Sequence, residues 1–255
     1  MQFSVNIAHN LQLLPFSTSS KDRLTDHDLD RFPGETLFDR LARAVCQAGC
    51  LPRKELYEAW EVARRTRRLF RGGRIVDLGA GHGLLGQILL ILDDTSPSVV
   101  AVDTRLPASS AKLQAALLES WPRLKDRIVF EEKAIDAVPL AAGDVVVSSH
   151  ACGALTDVVL DRSVAARARV AVLPCCHHVG GGNPSLSAEA RGAKAEGLPQ
   201  LTGWVDGALA IDIMRAVRVE QQGYRVWTQA IPVEITPKNR LLLAAPAVPL
   251  APLAP

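Results

Sequence analysis

Three short stretches carry residue types that could do chemistry, and each lies at the end of an apolar run. The first is Asp77-Leu78-Gly79-Ala80-Gly81-His82-Gly83. Glycines at this density let a backbone approach a ligand closely, because no Cβ intervenes. Gly81-His82-Gly83-Leu84-Leu85-Gly86 also satisfies the dinucleotide pattern, and Asp103 follows about 20 residues on, as a ribose-binding acid would. Two features turn the reading away from a dinucleotide. Four residues, Asp77 to Ala80, separate Val76 from Gly81, whereas a dinucleotide loop begins its glycines directly after the strand. Asp77 also stands near the carboxyl end of the run, where a carboxylate would repel pyrophosphate and suit a cationic sulfonium and ammonium. The stretch therefore predicts a loop for S-adenosyl-L-methionine built from Asp77, Gly79, Ala80, Gly81 and Gly83. Asp103 would take the ribose hydroxyls, and Lys133, Ala134 and Ile135 would border the adenine.

The second stretch is Ser148-Ser149-His150-Ala151-Cys152-Gly153-Ala154-Leu155-Thr156-Asp157, and the third is Pro174-Cys175-Cys176-His177-His178. Ligands of an open α/β sheet bind outside the carboxyl ends of its strands, so these side chains would converge on the substrate. His150, His177 and Cys152 are the catalytic candidates; an imidazole titrating near neutral pH could orient or deprotonate a nucleophile. Cysteine and histidine are also zinc ligands, but an extended strand sends neighbours to opposite faces, and structural sites space their pairs by two to four residues. No metal is expected on that spacing. The plainest alternative is that these are small buried cysteines and histidines bonded to backbone, which is the reading that suits Cys46 and Cys50.

The elements that must position these stretches alternate in kind. Apolar runs Ile75-Leu78, Val99-Val102, Ile128-Phe130, Val145-Val147 and Val170-Leu173 are separated by helical patterns at Leu84-Leu92, Ser109-Leu118 and Gly153-Ala166, with Val205-Gln222 following. Tyr224-Ile231 and Arg240-Leu243 then follow each other with no helix between. The expected fold class is α/β, a seven-stranded Rossmann-like methyltransferase sheet with an antiparallel terminal hairpin. Ahead of it, Thr36-Cys50 and Arg53-Phe70 read as an N-terminal helical extension. The predicted organisation is a poorly defined lead-in over 1–31, the extension over 32–72, the methyltransferase domain over 73–244 and a disordered Pro/Ala tail over 245–255.

Composition bounds the rest. A formal charge of +2 announces no nucleic-acid binder, and 48% hydrophobic residues in 255 allow a sizeable core. Five scattered cysteines suit a reducing compartment. The first residues lack the basic flank of a secretory signal, and no run reaches the roughly 18 apolar residues of a membrane span. A cytoplasmic protein is expected.

The motif pair His150-Ala-Cys-Gly-Ala-Leu-Thr-Asp157 and Cys175-Cys-His-His178 resembles the signature of the eukaryotic tRNA 2'-O-methyltransferases that modify the acceptor stem. It is similar, too, to a broader methyltransferase group that includes the C-terminal domain of the glutathione-S-transferase-C-terminal-domain-containing protein. Lys54-Glu55-Leu56-Tyr57-Glu58-Ala59-Trp60 and Ile235-Thr236-Pro237-Lys238-Asn239-Arg240 look like segments of that group. The resemblance implies S-adenosyl-L-methionine as cofactor and a tRNA-like substrate. Arg64, Arg65, Arg67, Arg68 and Arg71, wrapped around the end of one helix, would be the RNA contacts, since guanidinium forks suit phosphates. A small molecule or a protein side chain is the alternative substrate, and a non-catalytic cofactor-binding partner module the alternative to an enzyme. Gly180-Gly181-Gly182-Asn183-Pro184 reads as a surface loop or the hinge of a lid.

Overall fold

The computed structural model describes residues 16–175, 177 and 205–247. Five strands pair in parallel: β1 (Ile75–Leu78), β2 (Val99–Asp103), β3 (Ile128–Glu132), β4 (Val145–Ser148) and β5 (Arg169–Val172). β6 (Tyr224–Ala230) and β7 (Arg240–Pro246) complete a sheet ordered β3-β2-β1-β4-β5-β7-β6, in which β7 runs antiparallel to both neighbours. This is the seven-stranded sheet with an antiparallel terminal hairpin that the apolar runs predict. β1 and β4 are buried at every position, because helices cover both faces; that is why they read as continuous apolar runs. β7 continues through Ala245 and Pro246, which pair with Arg225 and Tyr224. The Pro/Ala composition that suggested a tail from Ala245 is outweighed there by a seven-residue partner strand, and 248–255 lie outside the described residues.

Helices α1 (Leu37–Ala48), α2 (Arg53–Leu69), α3 (Leu84–Leu92) and α4 (Ser110–Ser120) share a core with Ile75, Val99, Ala101, Val145 and Val147. Helices α5 (Ala154–Ala165) and α6 (Gly207–Gln221) share the other core with Val76, Val102, Val146 and Val170. Alternate residues of one strand thus serve opposite faces, as pleating requires. Thr36 caps α1 by accepting from the Asp39 amide, and Gly49 ends it in the left-handed region. α3 is buried from Leu84 to Ile91, since α2 packs on the side turned away from the sheet.

The stretch before α1 is more ordered than its weak pattern suggests. The Leu24 side chain is fully buried, its amide donates to Leu51 O at 2.9 Å, and Arg23 bridges to Pro52. Phe16 lies under the guanidinium groups of Arg31 and Arg53 and edge-on to Phe32. Single anchors and long-range backbone bonds leave no periodicity to read. Leu24→Ala should lower unfolding free energy by roughly 2–5 kcal/mol, the cost of a cavity in a packed core. Urea unfolding of the two proteins checks this, and a loss under about 0.5 kcal/mol, the range of surface substitutions, would mean that the segment is not part of the core.

Candidate cofactor loop and active site

The carboxyl ends of β1 and β2 meet at the glycine loop. Gly79, Gly81 and Gly83 all take positive φ, and the Ala80 amide donates to Val102 O at 2.9 Å. Gly83 has no space for a side chain: a Cβ would stand 2.7 Å from Phe130 Cε1 and 3.2 Å from the Ala101 Cβ. Gly81 faces open space, with nothing within 4 Å of such a Cβ. Its amide donates to Asp103 Oδ2 at 2.9 Å, which joins the loop to the end of β2. Ala134 follows β3 as an exposed residue, and Lys133 donates its amide to Asp103 O at 2.9 Å. Ile135, which the sequence placed beside the adenine, is buried in the core on the α5 side.

Asp77 is turned inward. Its side chain lies in a residue only 1% exposed, and Oδ2 accepts from the Gly86 amide at 3.0 Å in the first turn of α3. Burial raises its pKa to about 7, against the lowering effect of that bond and with a further push from Asp103. In this structure Asp77 holds the start of α3 to β1 and does not reach the space above the loop.

That space is a cleft lined by Glu55 and Ala59 of α2, Ala80, Gly81 and His82 of the loop, and Ser149 and His150 beyond β4, among others. His150 is exposed there, at the strand end where the sequence put it. His82 bonds through Nε2 to Ser109 Oγ at 2.9 Å, and burial lowers its pKa, as do Arg23 and His150 nearby. Glu55 and His82 were not singled out from the sequence. The spacing of Glu55 and Ala59, four apart on one helix side, was the available signal.

The second and third motifs come together through α6, by side chains the sequence gave no reason to choose. Arg215, 4% exposed, donates to both oxygens of Asp157, to Gly153 O and to Asp212 Oδ1. Asp212 also accepts from Arg240 Nε at 2.6 Å and bonds His177 Nε2 at 2.7 Å. Burial works to raise the Asp212 pKa, but the bonds from His177 and Arg240 prevail and hold it below the usual range. The His177 side chain is 2% exposed and its Nδ1 has no hydrogen-bond partner. His177 is thus turned toward α6, whereas His150 faces the cofactor cleft. Cys152 Sγ and Cys175 Sγ lie 2.7 Å apart, tying the residues after β4 to those after β5. Cys176, His178 and the Gly180–Pro184 stretch lie outside the described residues.

The five arginines are divided. Arg64 and Arg65 pair with Glu61, Arg65 also donates to Ala230 O, and Arg67 donates to Leu92 O. Arg68 and Arg71 are exposed. All five sit at the end of α2 that adjoins the close of α3, whereas Glu55, at the other end, adjoins the cofactor loop. A helix of 17 residues spans about 25 Å. Among the described residues no helix is long and apolar enough to cross a membrane.

Residues 55–179 match the family model described as a methyltransferase domain. No curated protein matches the chain. Solved structures similar to it include an O-methyltransferase family protein from Burkholderia thailandensis, at 16% identity and a TM-score of 0.47 over 86% of this chain and 63% of that one. The m1A22 tRNA methyltransferase of B. subtilis is similar at 13% identity and a TM-score of 0.45, over 75% and 65%. A SAM-dependent O-methyltransferase from Thermotoga maritima is similar at 14% identity and 0.41, over 76% and 66%. The chain spans less than two thirds of each of these, and likenesses at such identities do not name a substrate.

Two predictions rest on these contacts. The Asp77 carboxyl binds its proton more tightly folded than unfolded, so its contribution is present at low pH and is lost as pH rises from about 4 toward about 7. Asp77→Asn keeps an acceptor for Gly86 and removes the titration. The stability gap between wild type and variant should therefore shift in the variant's favour between pH 5 and pH 7.5, and a gap unchanged with pH would mean an ordinary carboxylate. Arg215→Leu takes their shared cation from the half-buried Asp157 and Asp212, which keep Arg218 and Arg240 respectively, and should cost roughly 1–3 kcal/mol, read by denaturant unfolding.

Proposed function

We propose that the chain is an S-adenosyl-L-methionine-dependent methyltransferase whose cofactor lies across the carboxyl ends of β1, β2 and β3. The observation that carries this reading is the joint at Gly81. Its amide is tied to Asp103, and the space over it is open, so a backbone without side chains and an acid at the neighbouring strand end face one place. The residues fit the group. Gly79, Ala80, Gly81 and Gly83 offer close backbone, Asp103 has an oxygen for ribose hydroxyls, and Ala134 leaves room for an adenine edge. When bound, the cofactor supplies a methyl group already activated on sulfur.

The chain's own work is then positioning and proton removal. His150, exposed at the end of β4 and on the wall of the cleft, is the group placed to accept a proton from the substrate's nucleophile. His177 acts through position, because Asp212 and the two arginines hold it against α6. Cys152 and Cys175 join the two motifs at the same end of the sheet. Alignment supplies much of the rate where the donor is already reactive.

For the substrate, the motif pair ending in Asp157 and Cys175–His178 supports RNA of a tRNA-like kind. Arg68, exposed on α2, and Arg71, exposed just beyond its end, are the two guanidinium groups of the arginine run without an ion pair among the described residues and so able to reach it. Calorimetric titration with S-adenosyl-L-methionine, S-adenosylhomocysteine and NAD should show binding of the adenosyl ligands only, and Asp103→Ala should weaken them by roughly 1–3 kcal/mol, the cost of unpaired buried partners. Transfer of labelled methyl from the cofactor should then mark small RNA. Label in protein or metabolites would replace RNA by those substrates, label in none would leave a binding module, and NAD binding alone would overturn the cofactor.

A further inference from the structure

Each acid that the sequence offered to the cofactor has work within the protein. Asp77 holds the Gly86 amide, and Asp103 holds the Gly81 amide on one oxygen while the other faces Thr104 and Arg105. The carboxylate over the loop without a hydrogen bond or ion pair among the described residues is Glu55. It stands in the first turn of α2 and shares its cleft with Ala80, Gly81, His82, Leu84, Leu85, Ser149 and His150. Its neighbours Lys54 and Glu58 pair with each other at 3.0 Å, so Lys54 is engaged elsewhere. Burial raises the Glu55 pKa, and the nearby His150 works against that rise. A half-buried carboxylate over a glycine loop, with no ion pair among the described residues and only His150 and the already paired Lys54 near it, suits a cation from a ligand. On the other wall Leu84 and Leu85 open the nine-residue α3, whose positive end favours an anion. Opposite charges on opposite walls are complementary to a zwitterion.

We propose that this cleft is the subsite for the amino-acid end of the cofactor, with the Glu55 carboxylate accepting from its ammonium group. The helical extension, not the sheet, then selects adenosyl ligands that carry an amino acid. The inference rests on the methyl-transfer reading above and names a residue of that same site.

Three ligands separate the parts. S-adenosylhomocysteine has the ammonium and no sulfonium, S-adenosyl-L-methionine has both, and methylthioadenosine lacks the amino acid altogether. Titrating wild type and Glu55→Gln with each, the variant should lose about 10- to 100-fold affinity for the first two, the range for a hydrogen bond between charged groups. Methylthioadenosine should bind both proteins equally, which also shows that the variant is folded. Equal binding of S-adenosylhomocysteine to both proteins would overturn the proposal, and so would a loss confined to S-adenosyl-L-methionine, which would place Glu55 at the sulfonium. Equal losses for all three ligands would overturn it as well, by assigning Glu55 to the fold. If wild type binds none of them, the cofactor reading falls first and this inference with it.

Discussion

Helix α3 begins so close to the sheet that no side chain fits at its N-cap, Gly83, or at Gly86 in its first turn. A Cβ on Gly86 would stand 2.8 Å from Val99 Cγ1 and 3.3 Å from the Asp77 carboxylate, and one on Gly83 would meet the Phe130 ring. That closeness sets the height of the loop above the sheet and lets the Asp77 carboxylate reach the Gly86 amide. It also forces α3 to be apolar on nearly every side, since β1 and β2 lie under it and α2 lies over it. α2 in turn is placed with its first turn above the loop, which is how Glu55 enters the cleft. One tight contact between a helix and two strands therefore positions residues from the loop, from Asp103 and from the extension.

A second arrangement governs the far side of the sheet. Ser148 joins the strand end of β4 to both neighbours: its hydroxyl donates to Leu78 O of β1 at 2.6 Å, and its carbonyl accepts from the Leu173 amide just after β5. From there the chain diverges. His150 turns to the face of α2 and α3, while Asp157 and His177 turn to α6 and its buried Arg215. An arginine so buried is stable only with its carboxylates in place, and both are: Asp157 on α5 and Asp212 on α6. The ion pairs thus fix α6 against α5, and Arg240 extends the same network to β7. Two histidines that look equivalent in the sequence end in different surroundings for this reason.

What was legible followed the type of order each region has. Strands buried on both faces and helices with one apolar stripe leave periods in the sequence, so β1 to β5 and α1 to α3 could be read within a few residues. The glycine loop was legible because Gly81, Gly83 and Asp103 serve backbone geometry that few other residues allow. Leu24 and Phe16 were not, because their places depend on Leu51, Arg31 and Arg53, which no local pattern announces. Arg215 was hidden for a related reason. A lone arginine on a helix is usually solvated, and only the fold brings Asp157 to it. The arginines of α2 show the converse: a run that looks free is partly consumed by Glu61, Leu92 and Ala230.

The electrostatic argument against a dinucleotide needs a different residue in its centre. From the sequence it rested on Asp77, but Asp77 is sealed beneath the loop, bonded to an amide, and held near a pKa at which its charge is not assured at neutral pH. A group so placed exerts little selection on what lies above. Glu55 is the carboxylate that lines the open cleft, and it makes no ion pair among the described residues, with only His150 and the already paired Lys54 near it. Two negative charges a few ångströms apart at a half-buried site repel by several kcal/mol, so a pyrophosphate over Gly81 would meet a penalty that a sulfonium and an ammonium would not. On the proposed role of Glu55, the discrimination between two cofactors that share one glycine pattern would lie not in the sheet, which both kinds of fold possess, but in the helix laid across it.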